Sequence, residues 1–349
     1  MNKYHDEEME KAITKTREIC NGLPEYVTKF IRSIQQRTEP KTRLEYSKDL
    51  RNFFEYIVDY AADHNIEMQT NTVPIEYIGD LNREYFEEYL DYLQQYKKGD
   101  KIYKNSRNTI KRKLSTLRKF YNFLFINDYI KVNNILKVEI PKLKEKEIIF
   151  MDRDEAKEFI NGVENGINNE SVMAKAYHDK QELRDLAIVS LLLSTGIRVS
   201  ECVGLDIEDV DFKNNCIKVI RKGGKEGIVY FSDNTAEILE RYIMHRNNQV
   251  AKEEATTALF LSSRMTRLGV RSIEKLVKKY AQATVPMKKI TPHKLRSTYG
   301  TALYEETNDI YVVADVLGHN NINTTSKHYS NMSDKRKKEV RNEVDYTND

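Results

Sequence analysis

Apolar residues recur at helical spacing along most of this chain. From Leu23 to about Val138 nearly every segment reads as an amphipathic helix. One is predicted over Leu23–Gln36, with Pro24 in its first turn, where a missing N–H costs nothing. A second follows Glu39-Pro40 and turns Tyr46, Leu50, Phe53, Phe54 and Ile57 inward. Asn71–Pro74 reads as a loop, a third helix spans about Asn82–Tyr96, and Lys98-Gly99-Asp100 reads as a turn. Ser106 is a good N-cap for a fourth helix, on which Ile110, Leu114, Leu117, Tyr121 and Leu124 share one face. Residues 1–20 read as a charged helix lying outside the main body.

The pattern changes after Val138. Residues 139–149 mix Pro141 with alternating charges and read as a solvated linker. Beyond it, Asp152 or Asp154 caps a helix over Glu155–Asn161, and 162–180 reads as a polar surface excursion. Glu182–Ser194 is strongly apolar on one side and is expected to be buried. Cys216–Arg221 and Glu226–Phe231 alternate like strands around Gly223-Gly224, a hairpin signal. Helices return at Thr235–Gln249, Val270–Ala281, Lys294–Glu305, Ile310–Leu317 and Ser333–Val344. The expected division is an N-terminal extension (1–21), a helical domain (22–138), a linker (139–149), a second α+β domain (150–332) and a charged tail (333–349). Two domains also suit 349 residues.

Composition narrows the class. Hydrophobic residues make up 40% and charged residues 32%, which describes a folded chain with a densely charged surface rather than a disordered one. No apolar run approaches a bilayer-spanning length. Three widely spaced cysteines, Cys20, Cys202 and Cys216, without a CxxC, argue against a disulfide framework or a zinc site and fit a reducing cytoplasm. The net charge of +3 points nowhere by itself, but its distribution does. Lys101–Lys119 carries eight Lys or Arg and no acid, which suggests a polyanion partner. On the fourth helix Arg107, Lys111 and Arg118 share a stripe, with Arg112 and Lys119 beside it. Both a DNA-facing surface and an ordinary solvated face fit that stripe.

The second domain holds no P-loop, no GxSxG and no metal-like pair of carboxylates. It does hold scattered cations. Arg198, on the corner after the apolar helix, can offer its planar fork to a phosphate or pair with Glu201. Lys222 and Lys225 flank the glycine turn, and the residues alone do not separate them. His293 and Arg296 fall one turn apart at the start of a helix opened by Pro292. His319 follows the expected C-cap Gly318, and Tyr329 follows His328.

In this order and in these frames the residues resemble the tyrosine recombinase (phage integrase) family. Thr195–Glu201 matches its Thr-Gly-x-Arg-x-Ser-Glu motif, and Arg221–Lys225 matches its hairpin-lysine motif. His293–Arg296, Leu317–His319 and His328-Tyr329-Ser330 match its remaining three boxes. The resemblance covers nearly the whole chain and is greatest to the Xer recombinases, particularly the single-protein XerS type. One departure is Ser297, where many members carry a second histidine, so the local hydrogen bonding is expected to differ.

The resemblance implies a mainly helical protein, with a SAM-like core-binding domain and an α+β catalytic domain closing as a clamp round double-stranded DNA. It implies that Arg198 and Arg296 hold the scissile phosphate, Tyr329 is the nucleophile, Lys222 protonates the leaving oxygen, and His293 and His319 assist. It implies no metal and no cofactor. Its implied partners are inverted-repeat DNA half-sites, three further copies of the chain in a tetramer, and an activating DNA translocase. Chromosome-dimer resolution at a dif-like site is the expected role. An integrase of a mobile element would share every residue above, and a type IB topoisomerase would share the chemistry. A DNA-binding architectural protein on an eroded recombinase fold would have lost catalytic positions; here all six are filled.

Overall fold

The computed structural model describes residues 3–140, 148–167, 172–221, 223–249 and 256–318, with side chains in 172–195 described from His178 onward. The chain divides into two compact units, Met1–Lys146 and Glu147–Asp349.

The first unit is a helical bundle built round aromatic rings. Helix α1 (Lys3–Asn21) lies along α3 (Pro40–Asp63), and α2 (Glu25–Ser33) packs on α3 as well. A short α4 (Ile75–Gly79) and α5 (Arg83–Gln94) follow. The chain then forms a hairpin of β1 (Gln95–Lys98) and β2 (Lys101–Lys104), with Gly99 in the left-handed region at φ 57°. Helix α6 (Arg107–Ile126) starts at Ser106, whose hydroxyl accepts the Thr109 N–H at 3.2 Å. Phe30, Phe53, Phe54, Phe86, Tyr89, Phe120 and Tyr121 are fully buried between these helices. Their rings meet mostly edge to face, as with Phe86 and Tyr121 at 5.1 Å and 90°.

Two expectations change here. The first helix is no outlying extension: Ala12, Thr16 and Cys20 are buried, so one face of it belongs to the bundle. The third helix stops at Gln94, and the residues beyond it turn into β1.

In the second unit, α7 (Arg153–Asn165) opens with a capping box, Asp152 accepting the Glu155 N–H while Glu155 accepts that of Asp152. Helix α8 (Val172–Thr195) runs through the middle, with Leu186, Ala187, Ile188, Val189, Leu191 and Leu192 all buried. A helix apolar on every side needs neighbours on every side, and α7, α10 (Asp233–Gln249) and α12 (Pro292–Thr307) supply them. The stretch read as a surface excursion is therefore largely helix: 162–165 completes α7 and 172–180 begins α8, with His178 buried against Tyr280. After α8 come the short α9 (Val199–Gly204) and an antiparallel sheet in the order β3 (Val210–Asp211), β4 (Cys216–Ile220), β5 (Glu226–Tyr230). Helix α11 (Val270–Thr284) packs on α7 and α9, and α13 (Ile310–Leu317) packs on α12. The linker core 141–147 and the predicted helix Ser333–Val344 lie outside the described residues. Cys20, Cys202 and Cys216 are buried free thiols. No described helix is long and apolar enough to cross a membrane.

Candidate active site

The site is assembled where α8 ends. Thr195 closes the helix by donating its hydroxyl to the Leu191 carbonyl. Gly196 then reverses the chain at φ 61°. A Cβ at that position would stand 2.5 Å from the Tyr299 ring and 2.8 Å from Leu317, so both the backbone conformation and the packing demand glycine. The turn sets Arg198 at the N-cap of α9. Glu201 is buried and fixes Arg198 twice, accepting its backbone N–H at 2.8 Å and its Nη1 at 2.7 Å. Arg198 thus makes the ion pair that the sequence allowed and still leaves its side chain about one-third exposed, 36%. Its Nη2 donates to the Gly318 carbonyl at 3.3 Å.

Arg296 reaches the same place from α12. Pro292 occupies the first turn of that helix, His293 is exposed there, and Arg296 one turn later is buried. Its Nη1 donates to the Gly196 carbonyl at 2.6 Å and its Nη2 to the Leu317 carbonyl. A third guanidinium arrives from the β4–β5 hairpin, where Arg221 Nη2 donates to the Val316 carbonyl at 3.1 Å. Ser297, in place of the frequent histidine, turns its hydroxyl back to the His293 carbonyl at 3.1 Å.

Three arginines therefore meet three successive carbonyls at the C-terminus of α13. Those carbonyls lack intrahelical donors, and the negative end of the helix dipole favours cations beside them. Gly318 adopts φ 62° and closes the helix as its αL cap. Held this way, guanidiniums present a rigid set of donors; each has five N–H groups, and on Arg198 one hydrogen of each Nη is committed. Such a cluster suits a phosphodiester anion. Of the six residues expected to carry chemistry, the structure brings Arg198 and Arg296 together and sets His293 one turn before Arg296. Lys222, His319 and Tyr329 lie outside the described residues. Arg221 was not singled out by the sequence reading; its place beside Lys222 was the one available signal. Lys225 is exposed, and its carbonyl closes the hairpin by accepting the Arg221 N–H at 2.8 Å.

In the first unit the five basic residues expected to meet DNA separate into two groups. Arg112 grips buried Asp49 with both Nη groups at 2.5 and 2.8 Å. Lys113 and Thr116 join it there at 3.3 and 2.9 Å, and Lys113 also reaches Asn52 at 3.1 Å. Burial holds the Lys113 ammonium below the ordinary lysine value despite Asp49. Arg118 donates to the Val138 carbonyl, and Lys119 donates to the Tyr46 hydroxyl at 2.6 Å. Arg107 is exposed at the start of α6, with Lys111 half-buried one turn on.

A SAM-like helical unit followed by a largely helical unit with a small antiparallel sheet is the architecture of the tyrosine recombinases. Residues 150–336 match the phage integrase family and residues 23–140 match the phage integrase SAM-like domain. The chain belongs to the phage integrase family. It is 31% identical to the tyrosine recombinase XerS of Streptococcus thermophilus strain CNRZ 1066 over 360 residues, covering 95% of this chain and 99% of that one. It is 32% identical to the tyrosine recombinase XerC of Thermodesulfovibrio yellowstonii over 306 residues, covering 86% and 89%. Among solved structures, XerH bound to a palindromic difH substrate after cleavage superposes with a TM-score of 0.62 at 18% identity, covering 86% of this chain and 80% of that one. The Tn1549 transposon integrase with circular intermediate DNA superposes with a TM-score of 0.61 at 19% identity, covering 87% and 94%. Both likenesses are of fold.

Proposed function

We propose that this tyrosine recombinase acts at a dif-like inverted repeat and resolves chromosome dimers. The observation that carries the strand-transfer chemistry in this reading is the convergence of Arg198 and Arg296 on adjacent carbonyls, Gly318 and Leu317, of one helix end. In the reaction, these two guanidiniums hold the non-bridging oxygens of the scissile phosphate and stabilise charge in the pentavalent transition state. The Tyr329 phenol oxygen attacks phosphorus in line, and the bond to the 5′-oxygen breaks. His293 takes the phenolic proton, Lys222 gives a proton to the departing 5′-oxygen, and His319 donates to a phosphate oxygen. The 3′-phosphotyrosine keeps the energy of the phosphodiester. A 5′-hydroxyl from the partner duplex reverses the step and reseals the strand, as in type IB topoisomerase chemistry. No metal or nucleotide enters this scheme.

In this reading residues 22–138 are the DNA-binding domain, 150–332 the catalytic domain, and 333–349 a tail that docks on a neighbouring subunit. Four active sites on two duplexes require a homotetramer, and similarity to XerS along nearly the whole chain favours the chromosomal role, with an activating DNA translocase as partner. The test is a supercoiled plasmid carrying two direct copies of a dif-like repeat from the host chromosome. Wild-type protein, with the terminal domain of the host translocase added in one arm, is expected to yield two circles. Resolution confined to plasmids bearing the ends of an integrated element would replace the chromosomal role with that of a mobile-element integrase.

A further inference from the structure

We infer that Arg221 is a positioning residue for the leaving-group side of the reaction; this rests on the catalytic roles proposed above. Three observations carry it. First, the Arg221 guanidinium ties the base of the β4–β5 turn to α13 by donating to the Val316 carbonyl at 3.1 Å. Second, its backbone closes the turn, the N–H donating to the Lys225 carbonyl at 2.8 Å and the carbonyl accepting the Gly224 N–H at 3.1 Å. Third, two glycines make room for it. A Cβ at Gly227 on β5 would stand 2.7 Å from Arg221 Nε, and one at Gly318 would stand 1.2 Å from Nη1. The side chain fills space that any other residue at 227 or 318 would occupy.

This link joins two short pieces of chain, each one peptide bond from a residue of the proposed chemistry. Arg221 precedes Lys222, and Gly318 precedes His319. Two of the three residues between Arg221 and Lys225 are glycines at positive φ, Gly223 at 89° and Gly224 at 73°, which add backbone freedom and no side-chain contact to the turn. A long planar fork anchored on a helix end supplies the missing constraint. Arg221 thereby fixes the base of the hairpin, one residue before the proposed general acid, against the end of α13.

The prediction separates positioning of the general acid from folding and from direct phosphate contact. A 5′-bridging phosphorothiolate substrate breaks a P–S bond, and its thiolate leaves with the electron pair and needs no proton. Full-length wild type, Arg221→Met and Gly227→Ala would be compared in single-turnover cleavage of nicked duplexes, with an oxygen or a sulfur at the scissile 5′-position. Gly227→Ala keeps the arginine and pushes it from its channel, so it stands in if Arg221→Met does not fold. With oxygen, both variants should cleave on the order of 100-fold more slowly than wild type, the cost of about 1 Å of misplacement. With sulfur they should come within severalfold of wild type. Equal losses on the two substrates would overturn the inference and make Arg221 a phosphate ligand or a fold element, and no loss on either would remove it from the reaction. Failure of wild type itself to cleave either duplex would overturn the catalytic reading on which the inference rests.

Discussion

Asp49 ties α3 to α6 inside the first unit. It is buried on α3 and accepts from three side chains of α6: Arg112, Lys113 and Thr116. Replacing it by alanine strands these donors unequally. Arg112 has 43% of its side chain exposed and a second carboxylate, Glu45, at 3.9 Å, so water and Glu45 recover most of what it loses. Thr116 keeps a bond to the Arg112 carbonyl at 3.3 Å. Lys113 has 10% of its side chain exposed; it keeps the Asn52 amide oxygen at 3.1 Å but loses the carboxylate that balances its charge inside the bundle. Breaking a buried pair from one side costs about 3–5 kcal/mol. That is a large part of the roughly 5–15 kcal/mol that holds a domain folded. Asp49→Ala should therefore lower the melting temperature of this unit by roughly 10–20 °C. Hydrogen exchange on peptides from α3 and α6 would confine the loss to the first unit. Adding Lys113→Met should restore most of the stability, since an apolar side chain of similar length removes the stranded charge. A loss of less than about 1 kcal/mol, or further destabilisation by Lys113→Met in the Asp49→Ala background, would refute this account of the network.

Other outcomes follow from the same structure. Arg107→Ala and Lys111→Ala should weaken DNA binding without lowering stability, and each should reduce the slope of log K against log salt by about 0.9. Arg118→Ala, which removes a donor to Val138, should instead lower stability, and a denaturation curve beside a filter-binding titration separates the two classes. Gly196→Ala should destabilise the second unit by more than about 1 kcal/mol and slow strand cleavage, because it strains φ and drives a methyl into Tyr299. Alkali should unfold the first unit. Burial raises the phenols of Tyr26, Tyr56, Tyr85, Tyr89 and Tyr121 above the ordinary value of 10.0, so the unfolded chain ionises first. Their contribution is complete below pH 10.0 and is lost as pH rises beyond it, which tyrosinate absorbance in urea titrations would follow.

Much of the fold was legible where local chemistry decides it. Ser106 caps α6 and Asp152 caps α7 because a side-chain oxygen meets an orphan N–H within three residues. Gly318 ends α13 and the glycine pair turns the β4–β5 hairpin for equally local reasons. What depends on distant partners was not legible. Helix α1 buries Ala12, Thr16 and Cys20, residues too small and too polar to stand out as an apolar stripe. The β1–β2 hairpin carries four lysines and little apolar alternation, so its signal was lost in the helix before it. Arg112, Arg118 and Lys119 read as one basic surface. Their acceptors Asp49, Val138 and Tyr46 lie 63, 20 and 73 residues away in sequence, and only the tertiary fold reveals them. The meeting of Arg198, Arg221 and Arg296 at one helix end is likewise a product of topology, although the first and last were marked as candidates by their local frames.

The most direct test of the central claim is covalent capture of DNA. Wild-type and Tyr329→Phe proteins would be mixed with nicked suicide duplexes built on a dif-like repeat of the host chromosome, with and without the translocase domain. Wild type is expected to give a protein–DNA band that survives denaturant and maps to a 3′-phosphate on Tyr329, while Tyr329→Phe binds and gives none. Equal binding by both proteins, with no covalent product from wild type in any arm, would contradict the account and leave a DNA-binding protein on a recombinase fold.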